Sequence, residues 1–281
     1  MTQNSDKLTQ MIETTRASWD ERVSHHVDDT SGLYNVSSFL NGEDTLSPID
    51  NAEIGDVAGL KIAHLQCHFG MDTLSLARRG AQVSGLDYAP AAIAKAKELA
   101  EATGIDAEFV CADVYQALDH LPGGAFDMVF VTCGTICWLP DLEPWANVVA
   151  GLLKPGGKLY LCDLHPTMAQ MEEEDGKLVV TYPMGGRGAD GAMEFHDEIS
   201  YAGDGTPLQN TKTFEWIHSF SHILNSLIGA GLSIDYLNEH DMLHWPAVPS
   251  MVSDTEDMFR LPEGMTGPAV AFSLMARRNA P

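Results

Sequence analysis

An α/β fold, doubly wound around a mostly parallel seven-stranded sheet with helices on both faces, is predicted by three features of the sequence. Between residues 60 and 163, short apolar runs of strand length alternate with segments of helical periodicity. Cap and turn signals separate them, such as Gly80 after one helix and the Pro90 and Gly104 pair around the next. Two further strand-like runs, LSIDYLNEH at 232–240 and AVAFSLMARR at 269–278, follow near the end of the chain.

The elements follow in order. Leu8, Met11, Ile12, Trp19 and Val23 recur at helical spacing, which predicts a helix over about 5–26 that either packs one face on the domain or folds over a pocket as a lid. The next stretch, HVDDTSGLYNVSSFLNGEDTLSP, is polar and turn-rich and reads as a hinge and lid. Then come strand 60–65, helix 71–79, strand 81–86 and helix 90–103, the last with Ile93, Ala96 and Ala100 as a sheet-facing stripe. Strands are expected near 107–110, 126–132 and 157–163, with a helix near 141–151. The alternation breaks over 166–217, where runs at 177–182, 193–201 and 211–217 are separated by GGRGADG and AGDGTP, an antiparallel β insertion. Phe220, Ile223, Leu224 and Leu227 make one more amphipathic helix. The chain therefore divides into a lid segment (1–58), a ligand-binding core (59–165), the insertion (166–217) and a C-terminal part of the core (218–281).

Composition narrows the function. The 281 residues, 44% of them hydrophobic, suffice for one large domain with an elaboration. With 40 acidic against 16 basic side chains and a formal net charge of −24, the surface repels phosphate backbones, so no nucleic-acid partner is expected. No apolar run approaches a membrane span, and MTQNSDKL lacks the features of a signal peptide. Five cysteines without framework spacing suggest reduced thiols and a cytoplasmic protein; a monomer or homodimer is expected.

The chemistry concentrates in HLQCHFG at 64–70, which follows the first sheet strand, and in VSGLDYAP at 83–90, which ends the second. A glycine-ended turn lets a ligand approach a helix start closely, and Asp87 stands where ribose hydroxyls would lie, an arrangement that serves NAD and S-adenosylmethionine alike. The later runs CADVY (111–115), FDMVFVTCGTICW (126–138) and LLKPGGKLYLCDLHP (152–166) resemble the ordered motifs of the class I (Rossmann-like) S-adenosylmethionine-dependent methyltransferases, of a bacterial small-molecule type. The resemblance implies that Asp87 grips the ribose with Tyr88 flanking the adenine. It implies that Asp113 reads the adenine amino group with Val114 at the ring, and that Thr132, Cys133 and Gly134 form the floor under the methionine moiety. S-adenosyl-L-methionine would be the cofactor, S-adenosyl-L-homocysteine the product, and a small molecule with an O-, N- or S-nucleophile the acceptor.

The glycine loop departs from that family, because His64, Gln66 and His68 stand where an acid and two glycines are usual and only Gly70 remains. Positive φ at a non-glycine residue costs roughly 1–2 kcal/mol, so Gln66 and His68 are expected at negative φ with side chains lining the pocket beside His64 and Cys67. For a general base the candidates are His165, just past the fifth strand, and His218, at the start of the helix after the insertion. Trp19, Tyr34 and Trp138 are candidates for the lid and substrate wall, where an aromatic face favours a sulfonium. His64, Cys67 and His68 with Cys133 have the ligand chemistry of zinc, but they diverge on an extended strand end, and no metal is expected. The insertion is the candidate acceptor cap. Two alternatives stay open: an NAD(P)-dependent oxidoreductase, and a non-catalytic S-adenosylmethionine-binding protein.

Overall fold

The computed structural model describes residues 2–254 and 258–280. Helix α1 runs Thr2–Val27, and the supposed hinge after it contains two short helices, α2 (Val36–Leu40) and α3 (Pro48–Glu53). The hinge reading missed them because their stability comes from caps: Asn35 accepts from Ser38 N, and Ser47 and Asp50 form a reciprocal capping box. The core follows as β1 (Lys61–Leu65), α4 (Met71–Arg78), β2 (Gln82–Asp87), α5 (Pro90–Thr103), β3 (Glu108–Cys111), α6 (Ala117–His120), β4 (Phe126–Val131), α7 (Leu142–Leu152) and β5 (Leu153–Leu164). Helix α5 has the bounds read from Pro90 and Gly104, and Gly104 closes it at φ 67 with its N–H on Ala100 O and Glu101 O.

After β5 come α8 (Pro166–Ala169), β6 (Met171–Glu174), β7 (Lys177–Val180), β8 (Met193–His196), β9 (Lys212–Glu215), α9 (Phe220–Gly229), β10 (Leu232–His240), β11 (Val252–Ser253), β12 (Phe259–Arg260) and β13 (Ala271–Arg278). The insertion thus differs from the three strands expected. It forms two separate hairpins, β6 on β7 and β8 on β9, and the run at 193–201 is a strand only to His196. The acidic β6, MEEE, has no β propensity of its own and is a strand through its pairing with β7.

The seven-stranded sheet has the order β10-β13-β5-β4-β1-β2-β3. All pairs from β5 to β3 are parallel, while β13 runs antiparallel between β5 and β10. Alternation along the strands divides the core by face. Ala63, Leu65, Val129, Val131, Leu159 and Leu161 pack under α7 and α9, whereas Ile62, Met128, Phe130, Tyr160 and Cys162 pack with residues around α3 and α4. The strand order reverses between β1 and β4, so the connections leaving their carboxyl ends diverge and open a crevice there.

Candidate functional site

A cavity of about 1120 Å³ occupies that crevice. Its floor is made by the strand ends. Gln66 and His68 both lie at positive φ, 56° and 50°, which corrects the expectation of negative values, although both side chains do line the cavity. The strain is opposed by bonds that need this conformation: Gln66 Nε2 donates to Thr135 O at 2.8 Å, His68 N donates to Asp87 Oδ2 at 2.9 Å, and the His68 ring meets His26. Gly70 enters α4 at φ 79, where a Cβ would meet Phe109 at 2.7 Å and Ala96 at 2.9 Å. A side chain is excluded there on both counts. His64 and Cys67 line the cavity as well; His64 Nδ1 lies 2.8 Å from Thr73 Oγ1, and burial pulls its pKa down to about 3. Cys67 is buried beneath the loop.

Asp87 ends β2 on the cavity wall, where Oδ1 accepts from Ala89 N and Oδ2 from His68 N, both at 2.9 Å. Burial lifts its pKa to about 6 against the pull of those donors. A carboxylate offers about four lone-pair sites, so beside the backbone donors Ala89, His68 and Tyr88 it keeps capacity to accept from a ligand. Asp113 is held by Tyr115 N at 2.9 Å, and Tyr88, Val114, Thr132, Cys133 and Gly134 also line the cavity. Three carboxylates missed in the sequence also line the cavity, two of them in this half. Asp163 at the end of β5 accepts from the backbone N–H groups of Gly134, Thr135 and Ile136 at 2.9–3.0 Å and so shapes the turn after β4. Asp72 accepts from Thr45 Oγ1 at 2.6 Å, and burial lifts it to about 7. Glu215 on β9 is the third, and it belongs to the opposite wall.

The roof comes from segments far apart in sequence. Fully buried His26 of α1 has Nδ1 2.8 Å from His68 Nε2 and Nε2 2.8 Å from Ser200 Oγ, which ties lid, glycine loop and insertion together. Burial and the neighbouring ring pull His26 down to about 2, so both imidazoles are neutral and share one hydrogen. Tyr34 stacks on His26 at 4.6 Å and its hydroxyl meets that of Tyr201 at 2.6 Å. Trp19 stands edge-on to Trp138 at 5.2 Å and to His68 at 5.4 Å. Trp19, Tyr34 and Trp138 all line the cavity. So do His244 and Trp245, from the loop between β10 and β11, which no periodic pattern marks.

The two candidate bases are placed otherwise than expected. His165 does not line the cavity: the strand has ended, its Nδ1 caps α8 by accepting from Thr167 N at 3.1 Å, and Nε2 lies 2.8 Å from Glu239 Oε1 on β10. His218 does reach the wall, but Nε2 donates to the carbonyls of Ile136 and Leu139, at 3.1 and 2.9 Å, and Nδ1 faces His222 Nδ1 at 3.0 Å. Neither ring has a nitrogen left to accept a proton from a ligand. Among the described residues no three His, Cys, Asp or Glu side chains gather as a metal site requires, and no helix is long and apolar enough to cross a membrane.

Comparison with known proteins points at the same half of the molecule. Residues 62–157 match a methyltransferase domain family. A ubiquinone biosynthesis O-methyltransferase of Xanthomonas euvesicatoria is 34% identical over 115 residues, 41% of this chain and 47% of that protein. One from Methylobacterium is 28% identical over 53% of this chain and 59% of its own length. The chain thus spans about half the length of the curated relatives it matches. Among solved structures, an S-adenosylmethionine-dependent methyltransferase from Mesorhizobium loti superposes with a TM-score of 0.59 at 20% identity, over 85% of this chain and all of that one. Another from Methanosarcina mazei gives 0.56 at 18% identity, also over 85% of this chain and all of that one. The fold is that of these enzymes.

Proposed function

We propose that the protein transfers the methyl group of S-adenosylmethionine to a small-molecule acceptor. The observation that carries this reading is Asp87, a cavity-wall acid at the end of β2 with both oxygens anchored by backbone N–H and outer lone pairs facing the space beside the β1 loop. Antiparallel β13 between β5 and β10 supports it over the dinucleotide reading, whose sheet has the order 3-2-1-4-5-6 with no such strand. The cavity also has the right size. Drug-sized ligands occupy roughly 300–1,000 Å³, so about 1120 Å³ holds a nucleoside cofactor together with a small acceptor.

When bound, S-adenosylmethionine supplies a methyl group already activated on a sulfonium, so the protein has to bind, orient and exclude water. Asp87 would hold the ribose, Asp113 and Val114 the adenine, and the 132–134 turn with Asp72 the amino-acid end, while the aromatic roof shuts out solvent. Five unbridged thiols fit a reducing, cytoplasmic setting. Calorimetric titration with S-adenosylhomocysteine, NAD and NADP tests the reading: tight binding of the first alone is expected, and preference for either dinucleotide would overturn it.

A further inference from the structure

We propose that Glu215 is the proton acceptor of the acceptor subsite and that this subsite takes an aromatic hydroxyl. The inference rests on the methyl-transfer reading and adds the acceptor's chemistry to it. In the β8–β9 hairpin Met193 pairs with Glu215 and Phe195 with Thr213, so these four side chains share one face. Met193, Phe195 and Glu215 all line the cavity, while Phe214 on the opposite face packs with Met11 of α1. The next residue, Trp216, donates its N–H to Cys137 O at 2.8 Å, which pins Glu215 beside the turn that leaves β4 at the crevice. The Glu215 carboxyl stands against this wall with neither a hydrogen bond nor an ion pair to any described residue.

A carboxyl group that lines a cavity without a protein partner is placed to accept a hydrogen bond from a ligand there. The groups around it select the kind of ligand. Asp197 faces it and is itself paired to Arg22 of α1 at 2.7 Å, with Tyr182 and Cys137 as the remaining titratable neighbours. Arg22 and Asp197 neutralise each other, so the pair leaves Glu215 to accept from a hydrogen-bond donor on the ligand. The rings of Phe195, Trp138 and Tyr201 on the cavity wall suit a flat, apolar body carrying that donor. Burial lifts Glu215 to about 7, which matches a base working near neutral pH. As the acceptor oxygen forms its bond to the methyl carbon, its O–H bond breaks and the proton passes to Glu215. The carbon–sulfur electron pair stays on the departing sulfur.

The probe is 4-nitrophenol, whose phenolate is yellow and whose neutral phenol is colourless, titrated into protein saturated with S-adenosylhomocysteine at neutral pH. The wild type should bleach the dye, because a carboxylate accepts the phenol O–H and repels the phenolate. Glu215→Gln should bind the dye at least about 10-fold more weakly and leave it yellow, with S-adenosylhomocysteine affinity unchanged as the check on folding. Equal colour change and affinity in both proteins, or no binding of the dye by either, would overturn the proposal. Benzylamine binding more tightly than the dye, and depending on Glu215, would overturn it in favour of a cationic acceptor. Failure of the wild type to bind S-adenosylhomocysteine would instead strike the methyl-transfer reading itself.

Discussion

The floor and the roof of the cavity hold their polar groups in different ways. On the floor, carboxylates are fixed by backbone N–H groups of neighbouring turns: Asp87 by His68 and Ala89, Asp113 by Tyr115, and Asp163 by three successive residues from Gly134. On the roof, the bonds run between side chains, or from a side chain to a distant loop. Examples are His26 to His68 and Ser200, Tyr34 to Tyr201, and Glu21 to Gln209 and Asn210. Backbone donors on sheet-anchored turns move only if the sheet does, whereas pairs across separate segments part when one segment lifts. A preformed floor under a detachable roof lets a ligand enter a site whose binding groups are already aligned.

Removing a floor anchor should be the most damaging change. In Asp163→Ala the buried N–H groups of residues 134–136 lose their acceptor together, and the loss expected is about 3–5 kcal/mol of unfolding free energy in denaturant titration. A loss below about 1 kcal/mol would mean that the turn is held by something else. Acid should separate the two halves next. His26 is neutral in the fold with its pKa pulled from 6.5 to about 2, so its contribution is complete above pH 6.5 and falls as pH drops below that value. At pH 5 it has lost about 2 kcal/mol. Asp87 and Asp72, lifted to about 6 and 7, have the opposite sign and favour the floor as pH falls, although His64 and His68, both pulled down to about 3, work against them there. Limited proteolysis at pH 5 should therefore cut within 28–35 and 197–210 before the sheet, and simultaneous loss of both halves would erase the distinction.

The floor was also the more legible half. Sheet strands, the bounds of α5 and the position of Asp87 follow from local signals: short apolar runs, Pro90 and Gly104, and a carboxylate at a strand end, whereas Asp113 is picked out by the family resemblance. The roof depends on register and on partners far along the chain. His165 turns away because it caps α8 and meets Glu239, 74 residues on, a contact no local pattern announces. Glu215 shares a face with Met193 and Phe195 only once the β8–β9 register is known. At Gln66 and His68 local propensity gave the wrong backbone, since their positive φ is held by Thr135, Asp87 and His26. A local rule fails there at the site itself, where strain is most often stored.

The smallest expected effect sharpens the contrast from the other side. Tyr34→Phe deletes one roof bond, the 2.6 Å contact with the Tyr201 hydroxyl, and should cost about 1 kcal/mol while leaving S-adenosylhomocysteine affinity within about threefold. A loss of affinity as large as that of a floor variant would show that the roof binds rather than covers.

Whether the floor is a cofactor site is decided most directly by isothermal titration of S-adenosylhomocysteine into wild type and Asp87→Ala, side by side. With ribose hydroxyls on the free lone pairs of Asp87, the substitution should weaken binding about 10- to 150-fold, the equivalent of roughly 1.5–3 kcal/mol of charge-assisted hydrogen bonding. Equal affinities in the two proteins, both folded, would contradict the assignment of this cavity to S-adenosylmethionine.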